Sequence, residues 1–175
     1  NSKVLEIGCG NGHLIGNLSV DFSVGIDISE KLIQKARVNY PKTNFHSGSI
    51  SEIKNILDKK VLFDYIIVCD TIGYLNDIQD SLNNLHSICN TNTRLIVGYF
   101  SPMWSPILSM AQYLRLKMPD LNPPLFSTAD IKNFLRISNF KTLRVEKKII
   151  LPYSFLGLGK ITNRLIANIP LFSNL

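Results

Sequence analysis

The chain has 175 residues, the length of one domain, and it is 45% hydrophobic, which is enough for a sizeable core and excludes a disordered chain. Its formal net charge is +6, and this charge is unevenly distributed. Residues 1–130 carry 11 Lys and Arg against 12 Asp and Glu, whereas residues 131–175 carry eight against one.

Strands and helices are predicted to alternate over the first hundred residues. A short apolar run predicts a strand at 4–7, and the clearest buried strand is predicted at 63–69. Further strands are predicted at 23–27, 43–47 and 93–100. Helices are predicted at 13–18, 30–39 (after the N-cap Ser29), 51–57 and 78–88. A β–α unit every ~20–30 residues predicts an α/β fold, a three-layer, doubly wound and mostly parallel sheet with helices on both faces.

After residue 100 this alternation stops. Residues 101–126, which contain several prolines, read as an insertion on the acceptor side of the sheet. Ser127 and Asp130 have the spacing of a capping box that opens a helix. A strand at 141–151 and a basic helix at 161–169 follow. We expect one domain over 1–175, with residues 151–175 as a basic C-terminal segment.

Cysteine usage and the ends of the chain indicate the cellular setting. Three cysteines, Cys9, Cys69 and Cys89, are odd in number and far apart, which excludes a disulfide framework and a CxxC metal site. No His, Cys and carboxylate cluster has metal-ligand spacing, so we expect no metal. With no signal pattern and no apolar run of ~18–20 residues, a cytoplasmic protein is expected. Because it begins with Asn1, we read the chain as a fragment of a longer polypeptide.

The strongest chemical signal is the run Glu6-Ile7-Gly8-Cys9-Gly10-Asn11-Gly12, between the first strand and the first helix. Glycines at such a turn let a ligand lie against bare backbone. A dinucleotide fingerprint needs its third glycine where His13 stands, and the absence of Gly-Lys-Ser/Thr excludes a Walker loop. Asp27, at the end of the second strand, can accept hydrogen bonds from a ribose diol. The pattern therefore favours a nucleoside.

This arrangement resembles the E/DxGxGxG motif and strand-end acid of class I S-adenosylmethionine (SAM) dependent methyltransferases. The resemblance covers residues 3–100 well and 125–150 loosely. It implies a Rossmann-like methyltransferase fold with SAM as cofactor. Folds of this family end in an antiparallel seventh strand, and we expect this chain to lack it, because only glycines and a helix-like run follow Leu151.

The resemblance also implies roles for single residues. The glycines would pass under the methionine and ribose, Glu6 would lie near the amino group, Asp27 would hold the ribose hydroxyls, and Ile28 would pack on adenine. Where the family usually has Gly-Asp, this chain has Gly48-Ser49, so adenine recognition is expected from the Ser49 hydroxyl and the backbone around Ile50. The expected cofactor-binding residues are Glu6, Gly8, Cys9, Gly10, Gly12, Asp27, Ile28, Ser49, Ile50 and Asp70.

Asp70, at the end of the fourth strand, stands where the family's residues border the transferred methyl group. Methyl transfer to oxygen needs a base within hydrogen-bond reach, and Asp70 is the first candidate, with His46 the second. A ligand to SAM or a helix cap is the alternative for Asp70, and a structural role is the alternative for His46. Tyr74, Tyr99 and Trp104 are expected to line an acceptor pocket at the carboxyl ends of the strands.

The predicted function is methyl transfer from SAM to a small molecule or glycan, at oxygen. Residues 70–78 and 104–108 resemble bacterial methyltransferase domains found beside or fused to glycosyltransferases, which implies a sugar or lipid-linked acceptor and a glycosyltransferase partner. A nucleic-acid methyltransferase is disfavoured, because no Asn-Pro-Pro-Tyr motif follows the fourth strand. A non-catalytic module that binds a partner or membrane surface is a further alternative.

The basic C-terminal segment leaves two interpretations open. Its apolar residues are predicted to share one face of a helix, beside Lys160 and Arg164. Such a helix can lie on an anionic membrane, which would place the protein at the inner membrane face. The alternative is burial of the apolar face against the sheet.

Overall fold

A computed structural model describes residues 2–58, 61–99, 109–110, 112–113 and 126–146. The chain divides into two compact units, Asn1–Phe140 and Lys141–Leu175. The strands of the first unit are β1 (Lys3–Ile7), β2 (Phe22–Asp27), β3 (Asn44–Ser47), β4 (Phe63–Cys69) and β5 (Cys89–Gly98). Its described helices with defined ends are α1 (His13–Gly16), α2 (Glu30–Asn39), α3 (Ile53–Ile56), α4 (Ile78–Leu85) and α5 (Thr128–Ile137), and short 3-10 helices lie at Ile50–Glu52, Ile72–Tyr74 and His86–Ile88. Residues 109–110 and 112–113 are also helical.

The five strands form one parallel sheet in the order β3-β2-β1-β4-β5. The central strand β1 pairs with both β2 and β4, and its last residue, Ile7, lies opposite Ile26 and Val68. Strand order therefore reverses between β1 and β4, and all carboxyl ends lie at one edge. The predicted parallel, doubly wound α/β fold is confirmed.

Two hydrophobic clusters pack the two faces of the sheet. On one face, strand residues such as Leu5 and Ile66 pack with residues of α3, α4 and α5, for example Leu82. On the other, Val4 packs with α1 and α2 through residues such as Ile33. Side chains alternate between faces along a strand, so the apolar runs of the sequence supply both clusters.

Capping side chains begin the longer helices, as predicted for two of them. The Ser29 hydroxyl accepts a hydrogen bond from the backbone N–H of Leu32 at the start of α2. Ser127 and Asp130 form the predicted capping box at the start of α5. Asp77 caps α4 by accepting from the N–H of Asp80. Each cap satisfies an N–H group that has no partner within its helix.

Some boundaries differ from prediction. Strand β5 begins at Cys89 rather than at residue 93, because Cys89 pairs with Phe63 before an irregularity in the register. The predicted helix at 78–88 is α-helical only to Leu85 and then tightens into a 3-10 turn. The predicted helix at 51–57 is a 3-10 turn followed by the short α3.

The predicted strand at 141–151 is not formed in its described part, since residues 141–146 lie outside helix and strand. Residues 147–151, most of the insertion with Trp104, the basic helix at 161–169 and the question of a seventh strand lie outside the described residues. The extent of the domain, 1–175, stays a prediction. In the described part of the chain, no helix is long and apolar enough to cross a membrane.

Candidate functional site

The glycine turn connects β1 to α1 and is held against β2. The backbone N–H groups of Gly8 and Cys9 both donate to the carbonyl oxygen of Ile26, at 2.8 and 3.1 Å. Gly12 is the N-cap of α1 and donates to the carbonyl oxygen of Cys9. The turn therefore has a fixed shape at the centre of the carboxyl edge, the edge of the sheet where the carboxyl ends of the strands lie.

Two glycines of this turn have different surroundings, although both have positive φ. Gly8 has φ +72°, and a Cβ atom there would overlap the side chain of Thr71. Gly10 has φ +54°, and no heavy atom beyond its chain neighbours lies within 4 Å of the Cβ position. Gly8 is thus required for close packing of protein on protein, whereas Gly10 presents bare backbone to open space.

The side chain of Glu6, in β1, connects this strand to the helix that follows the glycine turn. Its side chain is 5% exposed, and its Oε2 accepts a hydrogen bond of 3.0 Å from the backbone N–H of Ile15 in α1. Burial, and to a smaller extent the nearby charge of Asp27, raises the pKa of Glu6 to about 7. The carboxyl group therefore supplies the side-chain cap that Gly12 cannot give to α1. The expected contact of Glu6 with the amino group of the cofactor stays a prediction.

Asp27 ties the end of β2 to the glycine turn. Its Oδ2 accepts from the N–H of Gly10 at 2.8 Å, and its Oδ1 accepts from the N–H of Ser29 at 2.9 Å. A carboxylate has about four acceptor positions, so two remain for a ligand. Ile28 follows with 80% of its surface exposed and provides an apolar surface beside the carboxylate.

Asp70 directly follows β4. Because β4 pairs with β1, Asp70 lies beside the glycine turn that follows β1. It is one of two described non-glycine residues with positive φ, at +54°, and its N–H donates to the carbonyl oxygen of Gly98 at 2.9 Å. The residue is exposed as a whole, yet partial desolvation of its carboxyl group raises the pKa of Asp70 above its usual value. Its geometry makes Asp70 available to a bound molecule.

Ser49 and Ile50 have structural contacts of their own, and their expected role at adenine stays a prediction. The Ser49 hydroxyl accepts from the N–H of Ser51, and its own N–H donates to Glu52, so Ser49 is the N-cap of the first 3-10 helix. Ile50 is 5% exposed and packs in the core. The Ser-x-x-Glu spacing signals this capping box in the sequence, and our sequence interpretation missed it.

His46 lies beside β2, where it pairs with Ile26, and not beside Asp70. It lies on β3, which β2 and β1 separate from β4 and hence from Asp70. Its side chain lines a cleft that also contains Phe22 and Phe63, from the starts of β2 and β4. Burial, with a smaller contribution from the charge of Arg37, lowers the pKa of His46. This position does not support a role for His46 as the base.

The predicted acceptor residues and Cys9 occupy varied positions. Tyr74, in the 3-10 helix after β4, is 56% exposed. The Tyr99 hydroxyl lies 3.1 Å from the hydroxyl of Thr128 at the start of α5. Trp104 lies outside the described residues. Cys9 is buried, which raises the pKa of its thiol to about 12, and it packs in one hydrophobic cluster. Its expected role in cofactor binding stays a prediction.

Comparisons with known proteins decide the family. A family model described as a methyltransferase domain matches residues 1–139. The chain belongs to the methyltransferase domain family. It is 30% identical over 104 residues to the malonyl-[acyl-carrier protein] O-methyltransferase of Bacillus cereus, an alignment that covers 56% of this chain and 37% of that one. It is 24% identical over 153 residues to the O-methyltransferase cnsE of Penicillium expansum, which covers 81% and 53%.

A solved structure agrees with the fold of the methyltransferase domain. The SAM-dependent methyltransferase of Thermotoga maritima superposes with a TM-score of 0.68 at 21% identity, covering 88% of this chain and 72% of that one. The fold is therefore the Rossmann-like fold of class I methyltransferases. The chain spans between about a fifth and just over half of the length of the curated relatives that it matches.

S-adenosylmethionine is the cofactor of this methyltransferase domain, and the described residues fit it. Gly10 leaves open space over bare backbone, Asp27 keeps two free acceptor positions, and Ile28 offers an exposed apolar surface. The open space over Gly10 allows a ligand to approach the backbone closely, the acceptor positions of Asp27 suit a ribose diol, and the surface of Ile28 suits the face of an aromatic base.

Proposed function

We propose that the protein transfers a methyl group to a hydroxyl oxygen of a small molecule or glycan, with Asp70 as general base. The observation that carries the proposal is the placement of Asp27, Gly10 and Asp70 at the ends of three adjacent strands, β2, β1 and β4. Adjacent strands are about 4.8 Å apart, so this row spans about 10 Å of the edge, a width suited to a nucleoside and its reactive end.

Each residue of this row has a chemical task. Bound SAM supplies an electrophilic methyl group on a positively charged sulfur. Asp27 accepts hydrogen bonds from the ribose hydroxyls, and Ile28 covers one face of adenine. Asp70 accepts the proton of the acceptor hydroxyl, and its raised pKa makes its carboxylate a stronger base than an ordinary aspartate. Orientation of the two reactants supplies the remainder of the rate enhancement.

Oxygen as the target is supported by the names of two relatives, both described as O-methyltransferases. A glycan or lipid-linked acceptor, a neighbouring glycosyltransferase and membrane contact through residues 151–175 rest on the sequence resemblance and its charge pattern. We propose these finer assignments as the first to test. Sugar and lipid-linked sugar acceptors therefore belong in any substrate panel, with anionic and neutral vesicles as separate arms.

The test uses SAM with a labelled methyl group and a panel of hydroxyl acceptors, each with its amine analogue. We expect label on a hydroxyl acceptor, and a rate about 100- to 10,000-fold lower for Asp70→Asn, because the base is removed. Asp77→Asn is the matched control: it removes a nearby exposed carboxylate, and asparagine is an equally good N-cap for α4.

Three outcomes would contradict parts of this proposal. Preferential labelling of the amine analogues would contradict oxygen as the target. An Asp70→Asn rate equal to that of Asp77→Asn would contradict the assigned base. Labelling of no acceptor by a domain that binds SAM would favour the non-catalytic module.

A further inference from the structure

The side chain of Thr71 lies between the ends of two strands at the point where strand order reverses. Its Oγ1 is 2.8 Å from the carbonyl oxygen of Cys69, the last residue of β4, and 3.3 Å from that of Ile7, the last residue of β1. A hydroxyl group has one proton to donate, and the shorter distance favours Cys69 as the acceptor.

The same side chain packs against the glycine turn. A Cβ atom on Gly8 would overlap Thr71 Oγ1 and would lie 2.7 Å from its Cγ2. Gly8 is therefore glycine because Thr71 occupies the space that a side chain would need. Packing of this kind fixes the distance between the turn after β1 and the segment after β4.

Between Cys69 and Thr71, Asp70 has φ +54°. A left-handed conformation is uncommon for a residue other than glycine and persists where neighbouring groups hold it. Two groups do so here. The Thr71 hydroxyl closes a turn around Asp70 by donating to Cys69, and the Asp70 N–H donates to Gly98 in β5 at 2.9 Å.

We propose that Thr71 is a positioning residue whose hydroxyl and packing hold Asp70 in place beside the glycine turn. The inference rests on the proposed function and on the expectation from the sequence that Asp70, besides acting as the base, also binds SAM beside the transferred methyl group. Thr71 itself is hydrogen-bonded to backbone on both sides and acts through Asp70 and Gly8.

The test compares two substitutions at one position with a matched control. Thr71→Val keeps the branched shape that packs on Gly8 and removes the hydroxyl, whereas Thr71→Ser keeps the hydroxyl. Thr43→Val removes another half-buried hydroxyl, which bonds the Ser23 hydroxyl at 2.9 Å near the opposite edge of the sheet. Amide hydrogen exchange of Asp70 is measured without cofactor, and SAM affinity is measured by calorimetry.

We expect Thr71→Val to speed exchange of the Asp70 amide roughly threefold to tenfold, the effect of losing one hydrogen bond, while the amide of Ile66 inside β4 is unaffected. SAM affinity should fall roughly threefold to tenfold in the same variant. Thr71→Ser and Thr43→Val should match the parent in both measurements. A general loss of stability would instead speed both amides, which separates positioning from a merely structural role.

Parental exchange of Asp70 in Thr71→Val, or equal exchange in Thr71→Val and Thr71→Ser, would overturn the proposal. Faster exchange with unchanged SAM affinity would also overturn it, because Asp70 would then not need to be held. If Thr71→Val fails to fold, Thr71→Ala and Thr71→Ser are compared in its place. A parent that does not bind SAM contradicts the proposed function alone, since the exchange data still judge the link between Thr71 and Asp70.

Discussion

Carboxylates are held differently in the two halves of the carboxyl edge. In the half made by β1–β3, the oxygens of Glu6 and Asp27 accept backbone N–H groups from α1, from the glycine turn and from the start of α2. In the half made by β4 and β5, Asp70 is held through its own backbone N–H, and the residue is exposed. Under the proposed function, the first half is preorganised to bind the cofactor, whereas the second keeps the proposed base open to an acceptor.

The glycine turn gives the largest expected effect and the sharpest internal comparison. Gly8→Ala should lower the free energy of unfolding by about 3 kcal/mol, because the added Cβ overlaps Thr71 at a positive φ. Gly10→Ala should cost only about 1 kcal/mol, since its Cβ meets open space, and should mainly weaken SAM binding. Urea unfolding and calorimetric titration measure the two quantities. Equal losses of stability in the two variants would contradict the conclusion that Gly8 is required for packing and Gly10 is not.

Burial of Glu6 predicts a pH dependence of stability. Its folded pKa of about 7 lies above the ordinary 4.5, so the folded state binds the proton more tightly. The stabilisation is complete below pH 4.5 and is lost as the pH rises through about 7. Glu6→Gln keeps an acceptor for the Ile15 N–H, and we expect it to remove about 2 kcal/mol of the stability loss between pH 5 and 8.

Urea unfolding at several pH values measures this change for the parent, for Glu6→Gln and for Glu30→Gln, which removes an exposed carboxylate on α2. Only the first variant should flatten the profile. A profile that is equally steep in Glu6→Gln and the parent would show that another group causes the pH dependence.

The smallest expected effect lies in the acceptor half. Ser127→Ala removes one side of the capping box at the start of α5 and should lower the free energy of unfolding by about 1 kcal/mol. SAM affinity should stay at the parental value, because α5 follows β5, whereas the glycine turn and Asp27 lie at the ends of β1 and β2. Thermal unfolding and titration test this. A clear loss of SAM affinity would mean that the two halves are coupled more tightly than their hydrogen bonds indicate.

The fold followed from the sequence because the central strands β1 and β4 are short, mostly apolar and buried segments, and predicted helices separate the strands along the chain. The prediction for β4, residues 63–69, matches the strand Phe63–Cys69 at both ends. The start of β5 was missed, because Asn90 and Asn92 favour turns locally and pairing with β4 overrides that preference.

The site was less predictable than the fold. Spacing along the chain marks Asp27 and the glycine turn, but it cannot show that Glu6 accepts from Ile15 or that Thr71 packs on Gly8, since both contacts depend on how elements pack. Sequence order likewise made His46 a candidate base, although two strands separate β3 from β4. Hydrogen bonds within one turn, such as the Ser49–Glu52 capping box, could have been inferred from spacing.

The central claim, that Asp27 holds the cofactor at the glycine turn, is tested most directly by calorimetric titration of SAM. Asp27→Ala should weaken binding by about 1.5–3 kcal/mol, or roughly 10- to 150-fold, through loss of hydrogen bonds to a charged acceptor. Asp64→Ala is the matched control, because Asp64 also accepts a backbone N–H, that of Lys3, but at the opposite edge of the sheet. Parental affinity in Asp64→Ala together with the loss in Asp27→Ala supports the claim, and equal affinities of Asp27→Ala and the parent would contradict it.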